Sequence, residues 1–500
     1  MLKKCLVANR GEIAIRIMRA CRELGIQTVA VYSQADALDR HAQFADEAYG
    51  MGDGTQAPRQ SYLNGAGLIA IAQEAGCDCI HPGYGFLSEN EDFAQMVIDA
   101  GLTWIGPSPD AIRRMGVKTE ARALMQAAGV PVVPGFQSEE ATIAMFVQEA
   151  ARIGYPIMVK AAGGGGGKGI RVVYAAADLP DAIESAQREA QHAFNDARVF
   201  LERYIESGRH IEIQVLADSH GHTVHLFERE CSAQRRHQKI IEESPSPLLT
   251  PAMRDQMGQA AVAAARAVNY VNAGTVEFIA TPNGEFYFLE MNTRLQVEHP
   301  VTEAVTGLDL VKLQFRIAAG EALPFTQADL MQRGHAIECR LYAEDPRQNF
   351  MPATGRVLRF TPPQGPGVRV DTGIQSGSEI TIYFDPMIAK IIVYDPTREG
   401  AITRMIGALR ETILLGPTTN RDFLLTLLAH PTFQAGQVDT GFVDTHLEDL
   451  TPPLPDVPFA ALIAAALSET QTASSSVQGP AAESDAYNPW AQLDGFRLGQ

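Results

Sequence analysis

Residues 4 to 8 form a short apolar run, and after the turn Asn9-Arg10-Gly11 the residues Ile13, Ile17, Cys21 and Leu24 recur at helical spacing. Gly25 and the run TVAVY follow, which predicts a strand, a helix and a second strand. The pattern repeats with CDCI, a loop at His81, Ser88 and Glu91 as a capping box for a helix near residues 89 to 100, and TWIG. A doubly wound α/β domain over residues 1–115, a parallel sheet with helices on both faces, is the expectation. No GxGxxG follows the first strand, so the dinucleotide fingerprint is missing and a dehydrogenase is disfavoured.

Beyond about residue 116 the pattern changes to a helix over 118–128 and then YPIMVKAAGGGGGKGIRVVY, a strand, a glycine loop and a returning strand. IEIQVLAD and TVHLFER flank the turn Ser219-His220-Gly221-His222, and TVEFIA and EFYFLEMN flank Pro282-Asn283-Gly284, so the middle of the chain is mainly antiparallel. Residues 335 to 395 continue as short strands with Pro/Gly turns before helices near 398–411 and 419–429, a third, α+β unit. After about residue 450, TPPLPDVP, an Ala-rich stretch and TASSSVQGPAAES read as a linker with room for one helix. The closing NPWAQLDGFRLGQ reads as the start of a further region, truncated at Gln500.

The 500 residues suggest about three domains, and with 46% hydrophobic and 20% charged residues the composition is that of ordinary globular protein. The net charge of −18 disfavours nonspecific attraction to nucleic acid or an anionic membrane, so any bound anion requires a concentrated local site. Cys5, Cys21, Cys77, Cys79, Cys231 and Cys339 include a CxC but no CxxC pair, which fits a reducing compartment rather than a zinc site or disulfide framework. Charges at Lys3, Lys4, Arg10, Glu12 and Arg16 interrupt any signal-peptide core, and no span of about 18 apolar residues appears. A cytoplasmic location is expected.

Three groups of residues carry chemistry. Gly163, Gly164, Gly165, Gly166 and Gly167, followed by Lys168 and Gly169, allow backbone N–H groups to converge on phosphate oxygens. Ala162 and Gly169 break the P-loop pattern. Glycine content alone fits a loose hairpin tip equally well, whereas Lys160 on the entering strand favours a lid over nucleotide phosphates.

If Asn283-Gly284 form a two-residue turn, Glu277 falls opposite Glu290, and two like charges on one face call for a hard cation such as Mg²⁺ between them. A solvated strand face is the alternative. The stripe continues, however, as Glu290, Asn292, Arg294, Gln296 and Glu298 alternate along an extended segment with Met291, Thr293, Leu295 and Val297. Carboxylates, a guanidinium and amides on one edge can hold a metal–phosphate complex and a second small anion. The run Gln234-Arg235-Arg236-His237-Gln238-Lys239 adds positive charge for an anionic substrate.

Taken together, ANRGEIAIRI, HPGYGFLSEN, KAAGGGGGKGIRVV, RHIEIQVLAD, CSAQRRHQKIIEE, EMNTRLQVEHPVTE and GHAIECRLYAEDP resemble the biotin carboxylase family of ATP-grasp enzymes over residues 1 to about 447. GVRVDTG, YFDPMIAKIIV and VDTGFVDTH resemble α subunits of acyl-CoA carboxylases, the methylcrotonyl-CoA type in particular. The resemblance implies a doubly wound N-terminal domain, an ATP-grasp domain over 116–332 with a glycine-rich lid at about 132–203, a C-terminal biotin carboxylase domain over 333–447, and a linker with the start of a coupling region over 448–500.

It also implies roles. Lys118, Lys160 and the Gly163–Gly167 lid would meet ATP phosphates; His210, Gln234 and His237 would line the nucleotide pocket; and Glu202, Arg203, Tyr204 and Ile205 would hold adenine largely through backbone groups. Arg203 stands where many relatives carry Lys. Glu277, Glu290 and Asn292 match Mg²⁺ (or Mn²⁺) ligands. Lys239, Arg294, Gln296 and the Val297 backbone match a bicarbonate site, Glu298 a general base, and Arg340 the group that stabilises a biotin enolate. Without a Met-Lys dipeptide, biotin is expected on a carrier domain, in trans or C-terminal to residue 500, with a carboxyltransferase β subunit and a homo-oligomer as further partners. A pyruvate or acetyl-CoA carboxylase remains an alternative setting, another ATP-grasp ligase or a non-catalytic nucleotide-binding subunit less so; RLQVEH and Arg340 favour bicarbonate.

Overall fold

Alternate residues of the first strand face two different cores, which makes the N-terminal region doubly wound as expected. The structure is a computed structural model and describes residues 2–52, 57–138, 142–161, 170–194, 196–236, 238–453 and 457–475. Gly163–Gly167, Lys168, Gly169 and His237, and the closing NPWAQLDGFRLGQ, lie outside the described residues. The strands β1 (Lys4–Val7), β2 (Gln27–Tyr32), β3 (Glu47–Gly50), β4 (Cys79–His81) and β5 (Thr103–Trp104) form a five-stranded sheet in the order β3-β2-β1-β4-β5. Every neighbouring pair is parallel. Cys5 and Val7 pack with Ile13 and Ile17 of the helix Gly11–Glu23, while Leu6 packs with Leu68, Ala72 and Phe93 of two helices on the other face.

The order changes direction at β1, and the loops that follow β1 and β4 meet at the carboxyl ends of those strands, where Asn9 donates to Pro82 O at 2.7 Å. Gly83 lies there with φ +66°, and a Cβ at that position would meet the Asn9 amide at 2.9 Å. Only glycine lets the loop pass so close. The helix Glu91–Asp99 is capped by Asn90, which accepts from the Phe93 N–H at 2.7 Å, and not by the expected Ser88/Glu91 box. Ser88 is buried in the preceding turn, two residues too early to reach the first helical N–H groups.

A small antiparallel sheet in the order β6-β9-β7-β8 joins β6 (Gly135–Phe136), β7 (Ile157–Ala161), β8 (Arg171–Val173) and β9 (Val199–Arg203). Ile157 opposite Val173 bears out the hairpin about the glycine run.

The largest sheet comprises β10 (Arg209–Ala217), β11 (Thr223–Arg235), β12 (Gln238–Ser244), β13 (Asn272–Ala280), β14 (Phe286–Asn292), β15 (His335–Tyr342), β16 (Val368–Thr372) and β17 (Met387–Asp395). It runs β14-β13-β10-β11-β12-β15-β17-β16, and the β12–β15 ladder joins the central and C-terminal segments in one surface. On one face Ile211, Ile213, Val276 and Phe278 pack against the helix Pro251–Ala267. Farther along, Ile337, Cys339, Leu341, Ile391 and Val393 pack with Met405 and Leu424 of the helices Arg398–Glu411 and Arg421–Ala429. Each such fully buried side chain contributes about 1.5–3 kcal/mol.

The opposite face is polar. Contacts divide the chain into Met1–Thr451 and Pro452–Gln500; the second unit contains the helix Phe459–Ser475.

Candidate active site

A row of ionisable side chains crosses the eight-stranded sheet on the face away from its apolar core. Glu290 is opposite Glu277, Glu277 opposite Glu212, and Glu212 opposite Arg229. Farther along, Glu242 is opposite Glu338, and Arg340 opposite Lys390. Strand register alone therefore places an acidic pair at one end and a guanidinium near the other.

The Glu277–Glu290 pairing matches the expectation, but the two-residue turn does not. Thr281 and Glu285 close a three-residue loop, Pro282-Asn283-Gly284, with Gly284 at φ +90°. Pairing then runs Phe278 with Phe288 and, after a register shift, Glu277 with Glu290, so Leu289 is an extra residue on β14. The bulge reverses parity. Phe286 and Phe288 face the apolar core, and without Leu289 bulging Glu290 would join them instead of facing Glu277.

The segment after β14 is corrected likewise. The strand stops at Asn292, and residues 293–298 turn irregularly into the helix His299–Thr306 rather than continuing extended. The polar side chains converge even so. Glu277 accepts from Asn292 and Gln296, both at 2.7 Å, from Lys239 at 2.8 Å, and pairs with His210 Nε2 at 2.7 Å. Lys239 Nζ also donates to Glu298 at 2.7 Å and to Glu212. Arg340 donates to Glu298 at 3.0 Å and to Glu242. Arg294 donates to Glu89 at 2.8 Å and to Asn292 at 2.7 Å.

Charge sets the protonation of this cluster. Burial pushes the Glu298 carboxyl up, but Lys239, Arg340 and Arg229 outweigh burial and hold it well below the usual carboxylate range. Burial also opposes charge on Lys239, yet Glu212, Glu277 and Glu298 keep its ammonium protonated far above neutrality. Glu212, fully buried, is pushed up to about 7 by burial and by Glu298 and Glu277, against the pull of Lys239 and Arg229.

Glu290 is the open member of the acidic pair, half exposed with Lys118 Nζ 3.9 Å away. Two carboxylates are hard donors, and the Asn292 amide, whose oxygen accepts from Arg294 and whose nitrogen donates to Glu277, would add a third on turning over, so this end of the row suits Mg²⁺. A cavity of ≈ 320 Å³ beside it is lined by Lys118, Glu290, Asn292 and Glu89 among others. A larger one, ≈ 850 Å³, lies under the helices Lys118–Ala127 and Pro251–Ala267 and contains no member of the row.

The remaining expected residues are distributed around this centre. Gln234 is buried opposite Lys239. Lys160, on β7, pairs with Glu202 of β9, which also binds Arg122 at 2.9 Å, so the Glu202 side chain is engaged by two cations. The Arg203 and Tyr204 N–H groups donate to Pro134 and Pro156, and Ile205 packs beside Gly208.

Sequence reading missed Glu212, Arg229, Glu242 and Glu89. Arg229 is completely buried and donates to Gln214, Thr302, Thr275 and Gln296 at 2.7–3.1 Å. The sequence held little signal for these residues, since IEIQVLAD and HAIECRLY alternate polar with apolar residues as a half-exposed strand would.

Three family models match in succession: Biotin carboxylase, N-terminal domain, over residues 1–112; Carbamoyl-phosphate synthase L chain, ATP binding domain, over 117–326; and Biotin carboxylase C-terminal domain over 338–445. Biotin carboxylase 1 of Bacillus subtilis is 53% identical over 447 residues, covering 89% of this chain and 99% of that one. The mitochondrial methylcrotonoyl-CoA carboxylase subunit alpha of Dictyostelium discoideum is 48% identical over 99% of this chain, and the rat protein of that name 49% identical over 90%. This chain spans 70% and 63% of their respective lengths. Among solved structures, the biotin carboxylase domain dimer of Hydrogenobacter thermophilus 2-oxoglutarate carboxylase, in complex with MgADP, ADP and bicarbonate, is 46% identical with a TM-score of 0.86. That likeness covers 91% of this chain and 100% of the other. With matched models over all three regions and a relative of nearly equal length at 53% identity, the chain belongs to the biotin carboxylase family of ATP-dependent ligases.

Proposed function

We propose that this chain carboxylates biotin at N1′ using ATP and bicarbonate, as the biotin carboxylase component of an acyl-CoA carboxylase. The observation that carries the reading is the convergence of Lys239, Glu298 and Arg340 beside the Glu277–Glu290 pair. Lys239, Arg294, Gln296 and the Val297 backbone hold bicarbonate, and Lys118, Lys160 and the glycine lid hold the phosphates of ATP. His210, Gln234 and His237 line the nucleotide pocket, and Glu202 to Ile205 border adenine. Glu277, Glu290 and Asn292 hold Mg²⁺ (or Mn²⁺), which when bound neutralises charge on the terminal phosphates.

Glu298 removes the bicarbonate proton, and the freed oxygen attacks the γ-phosphorus, breaking its bond to ADP and forming carboxyphosphate. A bicarbonate on Arg294 competes for Lys239, and each hydrogen bond that Lys239 transfers to the anion restores basicity to Glu298. Carboxyphosphate breaks into CO₂ and phosphate. Phosphate takes the N1′ proton, and Arg340 stabilises the ureido enolate whose nitrogen attacks CO₂.

The methylcrotonyl-CoA setting is favoured by the relatives at 48–49% identity. Bicarbonate and a biotin carrier are the partners the reaction demands; a carrier domain in trans or C-terminal to residue 500, a carboxyltransferase β subunit, a homo-oligomer and a cytoplasmic location belong to the same proposal. The domain limits near residues 115, 332 and 447, with the lid over about 132–203, are likewise part of it. Among the described residues no helix is long and apolar enough to cross a membrane. The purified chain should hydrolyse ATP slowly with Mg²⁺ and bicarbonate and faster when free biotin is added; bicarbonate-independent hydrolysis contradicts the reading.

A further inference from the structure

The turn that delivers Glu298 lies between a strand and a helix, so ladder hydrogen bonds do not set its course. Side chains hold its carbonyls instead. Arg294 Nη1 donates to Leu295 O at 3.2 Å, His299 Nδ1 lies 2.8 Å from Gln296 O, and Lys390 Nζ donates to Val297 O at 2.8 Å. The first two come from the turn and from the first residue of the helix that follows it, whereas Lys390 comes from β17, 93 residues away.

Lys390 is fully buried inside the run MIAKIIV, where an ammonium is costly unless compensated. Its register partners are Arg340 on β15 and Asp371 on β16, and Glu12 Oε1 of the helix Gly11–Glu23 lies 3.2 Å from Nζ. Arg369 pairs with Asp371 at 2.6 Å and so already engages that carboxylate. With the Glu12 carboxylate at one side, Nζ gives its shorter contact, a hydrogen bond, to a peptide oxygen adjoining Glu298. The Val297 carbonyl and the Glu298 N–H share one planar peptide, so fixing that oxygen fixes the orientation from which the Glu298 side chain departs.

We infer that Lys390 is a positioning residue for the reaction: by fixing the Val297–Glu298 peptide it aims the Glu298 carboxylate at bicarbonate. The inference rests on the proposed role of Glu298 as the base and adds to it the group that orients it. Glu12, from the N-terminal region, anchors the ammonium in turn, so three distant parts of the chain meet at this peptide.

The test is a double-mutant cycle on the full chain, assayed as biotin-stimulated, bicarbonate-dependent ATP cleavage. Lys390→Met should lower kcat/KM for bicarbonate at least tenfold while KM for MgATP stays within about twofold. Added to Glu298→Gln, Lys390→Met should cost less than about twofold more, because there is no longer a base to aim. Equal losses for bicarbonate and MgATP, no loss, or a full additional loss in the Glu298→Gln background would overturn the inference. Should Lys390→Met fail to fold, Lys390→Gln, which loses the charge and is one bond shorter, is read by the same criteria. A Glu298→Gln protein with undiminished turnover would sink the base assignment itself, an outcome distinct from failure of Lys390 alone.

Discussion

Arg340 donates from Nη2 to Oε2 of Glu298 at 3.0 Å. The proposed second-step cation therefore holds the proposed first-step base, and the two steps share one buried ion pair. Protonating Glu298 in the first step weakens its grip on Arg340 and frees the guanidinium for the enolate of the second. In the proposed mechanism the order of the chemistry is thereby tied to the charge on one carboxyl group.

Glu298→Gln should lower bicarbonate-dependent turnover by about 10²–10⁴-fold with little change in MgATP affinity, measured by steady-state kinetics and nucleotide titration. Parallel losses in both would assign Glu298 to nucleotide binding or to structure.

Arg340→Ala should impair carboxylation of free biotin more than bicarbonate-dependent ATP cleavage, and the ratio of carboxybiotin to phosphate should fall. Because Glu242 is then buried without its cation, stability should also drop by about 3–5 kcal/mol. Pairing Arg340→Ala with Glu242→Gln should recover part of that loss in a denaturant titration.

Glu290→Gln offers a cleaner metal test than Glu277→Gln, since Glu290 is half exposed while Glu277 holds four polar partners. The Mg²⁺ concentration for half-maximal activity should rise about tenfold or more with little change in melting temperature. An unchanged Mg²⁺ dependence would remove Glu290 from the ligand set.

Glu243 gives the fold a defined acid sensitivity. Burial pushes its carboxyl up, but hydrogen bonds from His335 and Arg398 prevail and bring it down to about 2. A folded value below the unfolded one contributes stability that is present above the ordinary carboxylate range and is lost as pH falls toward 2. Glu243→Gln should cost roughly 3 kcal/mol at pH 7 and progressively less between about pH 4.5 and 2, by denaturant melts at each pH.

The doubly wound region was legible because its apolar periods change cleanly from two to helical spacing, as between the run before Asn9 and Ile13-Ile17-Cys21. The acidic pair was legible for a partly mistaken reason. A constant register from a two-residue turn leads to Glu277 opposite Glu290, and the actual loop of three residues leads there only because Leu289 bulges. Two offsets of one residue cancel, and local patterning contains no sign of either. Glu242 and Lys390 were not legible, since each acquires its partners only when strands far apart in the chain align; Glu212 and Arg229 belong to one hairpin, but come opposite each other only after a register shift between Ile213 and Val215. In a linear reading, IEIQVLAD is an ordinary alternating strand with Glu212 and Gln214 toward water; in the folded sheet that face is the buried floor of the site.

The most direct test of the central claim follows the oxygen atoms. With bicarbonate fully labelled with ¹⁸O, and ATP, Mg²⁺ and free biotin present, the released phosphate is analysed by mass spectrometry. Attack by bicarbonate on the γ-phosphorus predicts one bicarbonate oxygen in each phosphate and the other two in the carboxyl group of carboxybiotin. Phosphate that carries only solvent oxygen would mean that water is the nucleophile, and the assignment of Glu298, Lys239 and Arg294 to bicarbonate would be wrong.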